Sequence, residues 1–485
     1  SPDGRSIGFF GLNKLYRIDI AGGSPQTIAN ASIARGATWN AAGTILFSDS
    51  VTSPVFRVSA SGGEPIAVTH LDSARHIGHR YPKFLPDGQH FIFYAQGTGD
   101  AGGIFLASLS GGEPKRLTGS ETAGEYLKPG WIVFVRQGSL VAQHLDLEHA
   151  ALTGDPVVLA DPIAYDGSTF LGAFSVSNDG RIAYRSGGAE ARQLVWFDRT
   201  GKMLDVAGEA DPSALVAPEL SQDERRLAID RTVQSNRDIW LMDLLRGGLT
   251  RLTTDPAVDG FPLWSPDGTK IVFESSRKGS YDLWIMSANK TGSEELLYGT
   301  PSNEWPVHWS KDGRFILFYQ SGPAGSDLWA LPMTGEERKP IVVANTKFEE
   351  RQGQFSPDSR WIAYETNESG RFEIVVQPFP EATSKVQVST NGGVQPRWRA
   401  DGKELYFIAP DRKLMAVPVT TSASSFEPGK PVALFQTQVF SGASATFRPE
   451  YAIARDGRFL FNQVVKESSV TPITLVLNWN PDQKK

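Results

Sequence analysis

The sequence predicts an all-β protein of the β-propeller architecture, two propellers built from about eleven four-stranded repeats. Three observations predict it. A turn signature recurs at intervals of about 45 residues, the strands between the turns are patterned for burial on both faces, and no stretch has helical periodicity long enough to build a separate α/β domain. The clearest copy runs Ser265-Pro266-Asp267-Gly268, then Lys270 to Glu274, Tyr281 to Met286 and Glu294 to Leu297. One period later come Ser310-Lys311-Asp312-Gly313, Phe315 to Phe318, Asp327 to Leu331 and Ile341 to Val343.

Taking Asp3, Ala42, Asp87, Pro129, Asp179, Asp223, Asp267, Asp312, Asp358, Asp401 and Asp456 as equivalent gives spacings of 39, 45, 42, 50, 44, 44, 45, 46, 43 and 55 residues. That is the length of a four-stranded propeller blade. The turn chemistry suits a hairpin: Pro presets φ, Asp bonds the backbone ahead of it and Gly accepts positive φ. Ile271 and Phe273 alternate with Val272 and Glu274, and Leu283 and Ile285 with Trp284 and Met286, as expected of strands covered by neighbours on both sides. Gly22-Gly23, Gly62-Gly63, Gly111-Gly112, Gly247-Gly248 and Gly392-Gly393 are expected at the bend between third and fourth strands, as turn devices and not phosphate loops.

Eleven anchors exceed one ordinary ring, so the chain divides into 1–208, a first propeller of irregular blades that is incomplete at its N-terminal end, and 209–485, a second, six-bladed one. The boundary is expected in the polar, Pro-containing stretch Gly208 to Ser213. The first unit lacks the strand that should precede Ser1-Pro2-Asp3-Gly4, and the chain closes on the isolated strand Pro472 to Trp479, so pairing of such terminal strands is expected to remove open edges.

The composition narrows the function. The 485 residues carry 48 Lys and Arg against 54 Asp and Glu, a net charge of −6, which offers no global basic field for nucleic acid. The absence of Cys excludes disulfides, thiolate metal sites and cysteine nucleophiles. Runs such as Trp131 to Val135 are far too short to span a bilayer.

The Ser-Pro-Asp-Gly turn, an apolar strand and then Asp-Leu-Trp-x-Met resemble the WD40-like (PD40) repeat of TolB-type propellers. More closely, His79 to Gly88, Gly172 to Ser177, Leu194 to Arg199, Gln395 to Arg399 and Ile473 to Trp479 resemble the C-terminal propeller region of bacterial eukaryote-type serine/threonine protein kinases. The resemblance implies an extracytoplasmic recognition module, periplasmic or at the cell surface, with a kinase domain and a membrane tether preceding it. This chain has no nucleotide loop, Val-Ala-Ile-Lys, His-Arg-Asp or Asp-Phe-Gly, so the part present would be noncatalytic.

Nor is there a Gly-x-Ser-x-Gly nucleophile elbow. His76 and His79 are the only histidines close enough to suggest a metal pair, and a solvated loop is the better reading; His308, between Val307 and Trp309, reads as a hydrogen-bonded interior histidine. No catalytic residue, metal or cofactor is assigned. The functional expectation falls on residues shortly before each turn, which the fold would gather at a channel mouth: Arg80, Tyr81, Asp259, Phe261, Glu304, Trp305, Arg351, Gln395, Arg397 and Arg448. They would hold a protein or peptide partner, or a small polar ligand. Arg80→Ala or Arg351→Ala is then expected to weaken binding with little change in melting. Use of the same groups in ion pairs between blades remains open at this point, as do a propeller enzyme (lyase, glycosidase or metal-dependent hydrolase) and an envelope assembly protein.

Overall fold

All eleven anchors fall in turns, and the turns show why the signature repeats. In the copies at Ser221, Ser265, Ser310 and Ser356 the serine hydroxyl donates to the Asp carboxylate two residues on, at 2.6, 2.6, 2.6 and 2.5 Å. The same hydroxyl accepts the N–H that opens the next strand: Arg226, Lys270, Phe315 and Trp361 donate at 3.0, 2.9, 2.9 and 3.0 Å. The Ser265 hydrogen bond holds the Asp267 carboxyl below its ordinary value.

The computed structural model describes residues 1–479 except 12–13, 32–33, 73–74, 98–100, 168, 188–190, 214, 234–235, 323–324, 336–337, 423–424, 440–448 and 466–471. Its elements are antiparallel strands, with no α-helix among the described residues and so none long and apolar enough to cross a membrane. They form two compact units, Ser1–Glu190 with Gln234–Asn236 and Lys466–Lys485, and Ala191–Val233 with Arg237–Val465.

The first unit opens with the three-stranded sheet Ser6–Gly11, Lys14–Asp19, Gln26–Asn30, whose Ser6–Gly11 strand lies at an edge. Three four-stranded sheets follow, their first strands being Ala37–Trp39, His76–Phe84 and Glu125–Leu127. After the hairpin of Tyr165–Asp166 and Leu171–Gly172, the strands Phe174–Val176 and Ile182–Arg185 are joined by Ile473–Val476. The strand near the C-terminus is thus paired across nearly 290 residues of sequence, Ile182 facing Val476 and Arg185 facing Ile473.

Among the described residues the second unit has six sheets. Blade 1 combines Arg192–Phe197 and Met203–Asp211 with Tyr451–Ile453 and Phe459–Val464, the central pair running from Arg192 against Val464 to Phe197 against Phe459. Blades 2 to 6 begin with the inner strands Val216–Leu220, Asp259–Trp264, Glu304–Trp309, Glu350–Phe355 and Val394–Trp398. Each inner strand packs on the next, and the last returns to the first: Tyr451 donates its hydroxyl to the Gln395 carbonyl at 2.8 Å. Buried clusters lie between the sheets. One joins Leu194, Ala452 and Leu460 to Leu227 and Ile229; another joins Tyr406 and Ile408 to Tyr451 and Phe461.

This pairing places the division at 190/191 instead of 208/209. Residues 192–211 share a sheet with 451–464, so they belong with the second unit, and the stretch from Gly208 to Ser213 leads from one blade to the next instead of separating domains. Gly392-Gly393 also differs from expectation. It lies between the outer strand Val386–Gln387 and the next inner strand, at a crossover between blades. A Cβ on Gly392 would come within 2.5 Å of Pro410, and its φ of +92° lies in the left-handed range, so the glycine is required there.

Candidate functional site

Five of the inner strands share one irregularity. Tyr81, Ala217, Phe261, Gln352 and Gln395 have φ of 52, 54, 53, 53 and 57°, and each directly precedes Pro82, Pro218, Pro262, Gly353 or Pro396. The sheet register slips at these points, as at a β-bulge. Left-handed backbone is costly for residues with a Cβ and persists where the surroundings hold it. In the second unit acids on the second strand of one blade hold the bulge of the next. Phe261 N–H donates to Asp230 Oδ1 at 3.1 Å, and Gln395 N–H donates to Glu365 Oε1 at 2.6 Å.

Around these contacts the leading ends of the inner strands form a buried ionic network. Arg237 lies between Asp230 and Glu274, and a Cβ on Gly260 would come within 2.7 Å of Glu274 Oε1 and 2.9 Å of both Arg237 Nε and Asp230 Oδ2. Two buried carboxyls sharing one guanidinium are both pushed up by desolvation. Asp259 receives Arg277 Nη2 at 3.1 and 3.0 Å, yet burial raises it to about 7. Glu304 accepts from Thr300 and from Gln320, and burial raises it to about 7 as well.

Most of the residues singled out in the sequence lie in this network. Trp305 stacks on Tyr319 with ring centroids 5.0 Å apart. Arg351, 1% exposed, donates to Glu365 at 2.8 Å and to Glu349 at 3.3 Å and sits 3.7 Å from the Phe372 ring centroid. Gln395 exchanges hydrogen bonds with Glu450, its Nε2 donating at 3.1 Å and its Oε1 accepting at 2.9 Å. In the first unit Arg80 donates to the Val51 carbonyl at 3.1 Å and faces the Phe170 ring, while the Tyr81 hydroxyl donates to the Thr169 carbonyl at 2.7 Å. Arg448 lies outside the described residues. Burial with these partners reverses the expectation that Arg351→Ala would leave melting nearly unchanged, because it would strand two buried carboxylates.

The histidine pair is corrected too. His76 and His79 lie on the strand His76–Phe84 and not in a solvated loop; His79 is 1% exposed, bonded to Thr69 at 2.8 Å through Nδ1 and to His76 at 3.2 Å through Nε2. Burial lowers its pKa to about 3. No group of three or more His, Asp or Glu gathers for a metal among the described residues.

Arg397 is different. It follows the bulge at Gln395-Pro396 and, with Glu219, His308 and Gln354 from three other blades, lines a cavity of about 200 Å³ at the turn end of the inner strands. Glu219 and Gln354 stand at the same offset, directly after Pro218 and Gly353. Burial raises the Glu219 pKa, opposed by the charge of Arg397. His308 Nδ1 accepts the Phe355 N–H at 3.1 Å, and burial with the Arg397 charge lowers its pKa to about 3. Of this set the sequence points to Arg397 alone as a binding residue; His308 reads there as a hydrogen-bonded interior histidine, and Glu219 and Gln354 are not singled out. The signal for the others was a polar residue immediately after the recurring bulge, two to four positions before the turn.

Residues 165–351 match the family model described as the TolB beta propeller domain, PD40. Among solved structures, the chain is similar to a TolB-type protein from Agrobacterium tumefaciens, at 18% identity over 58% of this chain and 100% of that one with a TM-score of 0.48. It is similar also to TolB from Acinetobacter baumannii, at 14% identity over 64% of this chain and 80% of that one with a TM-score of 0.40. A third is the tricorn protease, at 14% identity over 87% of this chain and 46% of that one with a TM-score of 0.34. Residues 165–351 thus carry the match to the TolB-type (PD40) β-propeller domain, and the four-stranded antiparallel sheets on either side of them repeat the same architecture.

Proposed function

We propose that this chain is a noncatalytic, extracytoplasmic binding propeller, the sensor or interaction region of a membrane-tethered bacterial signalling kinase. Its ligand, a peptide segment of a protein partner or a small polar molecule, enters the turn-end cavity of the second unit. The supporting observation is the convergence there of Arg397, Glu219, His308 and Gln354 from four blades, on a scaffold whose other buried charges are already bonded within the protein. A preformed cavity on rigid strands needs little reorganisation to bind. In this reading Asp259, Phe261, Glu304, Trp305, Arg351 and Gln395 hold the blades together, and Arg397 meets the ligand.

A fluorescence-melting screen of peptides and polar small molecules on wild type and Arg397→Gln tests it. The reading predicts a compound that raises the melting temperature of wild type and not of the variant. Turnover of a peptide or polysaccharide, or ligand stabilisation indifferent to all the cavity residues, would overturn it.

A further inference from the structure

We propose that the turn-end cavity of the second unit is a carboxylate-binding site, with Arg397 as its bidentate anchor and the His308 Nε2–H as a second donor. This deepens the functional reading above and rests on it. The Arg397 side chain is buried, the residue being 8% exposed, and its guanidinium has no hydrogen-bond or ion-pair partner among the described residues. Arginine cannot shed its charge, so the guanidinium presents to the cavity an unpaired cation that an entering anion can meet directly. Glu219 shares the cavity but lies beyond ion-pair distance, so it does not fill the role.

The corresponding position of the first unit shows what a satisfied cation looks like there: Lys83, directly after Pro82, is 2.7 Å from Glu125. In the second unit no such internal acid is supplied at Arg397. His308 adds the second donor, because Nδ1 is occupied as an acceptor of the Phe355 N–H and the ring proton must then sit on Nε2. The indoles of Trp309 and Trp398 are already bonded, to the carbonyls of Gly313 and Gln354 at 3.2 Å each, and serve as walls.

The shape of this donor set selects the anion. A guanidinium fork matches the two oxygens of a carboxylate. A phosphate dianion would bring a second charge toward Glu219, with Arg397 the buried cation of the lining and the other two, Lys311 and Arg455, exposed to water. The cavity of about 200 Å³ suits the end of a chain or a small organic acid.

Isothermal titration calorimetry on the whole chain tests this with four probes: succinate, an acetylated tripeptide with a free C-terminal carboxylate, the same tripeptide as its amide, and inorganic phosphate. Succinate or the free-acid peptide should bind, which of the two distinguishing a free acid from a chain terminus. The amide should not bind, Arg397→Gln should weaken the carboxylate at least tenfold, and Arg397→Lys should recover part of the loss. Equal binding of acid and amide, an unchanged Kd in Arg397→Gln, or phosphate binding tighter than both carboxylates would overturn the proposal. Should Arg397→Gln fail to fold, Glu219→Gln carries the test: losing the facing carboxyl should tighten carboxylate binding several-fold, and an unchanged Kd would count against it. A neutral or cationic compound that binds in the melting screen when no carboxylate does would sink the carboxylate assignment alone. The absence of any ligand of any class would sink the functional reading with it.

Discussion

Arg351 and Arg397 are buried arginines on the inner strands of adjacent blades, and they stand in opposite electrostatic situations. Arg351, at the leading end, lies between Glu349 and Glu365 and against Phe372. Arg397, past the bulge at the turn end, faces a cavity shared with a glutamate it does not touch. The difference teaches that charge on an inner strand is not by itself a sign of binding. The leading ends use charge to hold strained bulges in register, since each Asp or Glu that captures a bulge N–H needs a cation to make its own burial tolerable.

The largest effect that can break this comparison is on stability. Arg351→Ala should lower the unfolding free energy by roughly 3–5 kcal/mol, the usual consequence of leaving a buried ion pair half made, read by denaturant titration. Next is Glu304, buried against Thr300 and Gln320 and raised to about 7 from an ordinary value of about 4.5. A carboxyl whose folded pKa is raised contributes fully below its unfolded value and loses that contribution as pH rises through the folded one. Wild type should therefore lose stability relative to Glu304→Gln between about pH 4.5 and about pH 7, by on the order of 2 kcal/mol, and a flat difference would refute the assignment. Ser310→Ala removes a hydroxyl that donates to Asp312 and accepts from Phe315 N–H, and should cost about 1 kcal/mol in the same titration. Smallest is Arg397→Gln, whose unfolding free energy should stay within about 0.5 kcal/mol of wild type, since no internal bond is lost.

The repeat was legible because turn chemistry is local: Ser-Pro-Asp-Gly carries both hydrogen bonds that build the turn, and even the degenerate copies at Ala42 and Pro129 fold as turns. What joins Leu194 to Asn462, or Ile182 to Val476, is not local, since either partner strand alone reads as an ordinary repeat. That is why the division between the units fell 18 residues from where the sheets place it, at 208 instead of 190. The cavity was half legible for a related reason. A bulge adds one residue to a strand whose side chains alternate faces, so positions on either side of Phe261 or Gln395 cannot be assigned to a face by counting. Arg397 is a cation close to a turn and stands out in the sequence, whereas Glu219, in Ala217-Pro218-Glu219, reads as an ordinary residue of a strand.

The contrast between the two arginines is tested most directly by guanidinium hydrogen exchange, followed by NMR on arginine-labelled protein without added ligand. The Arg351 Nε–H, bonded to Glu365 and covered by Phe372, should be strongly protected, whereas the Arg397 guanidinium should exchange readily and become protected only when a carboxylate is added. Equal protection of both in the free protein would mean that Arg397 already has an internal partner, and would contradict the account.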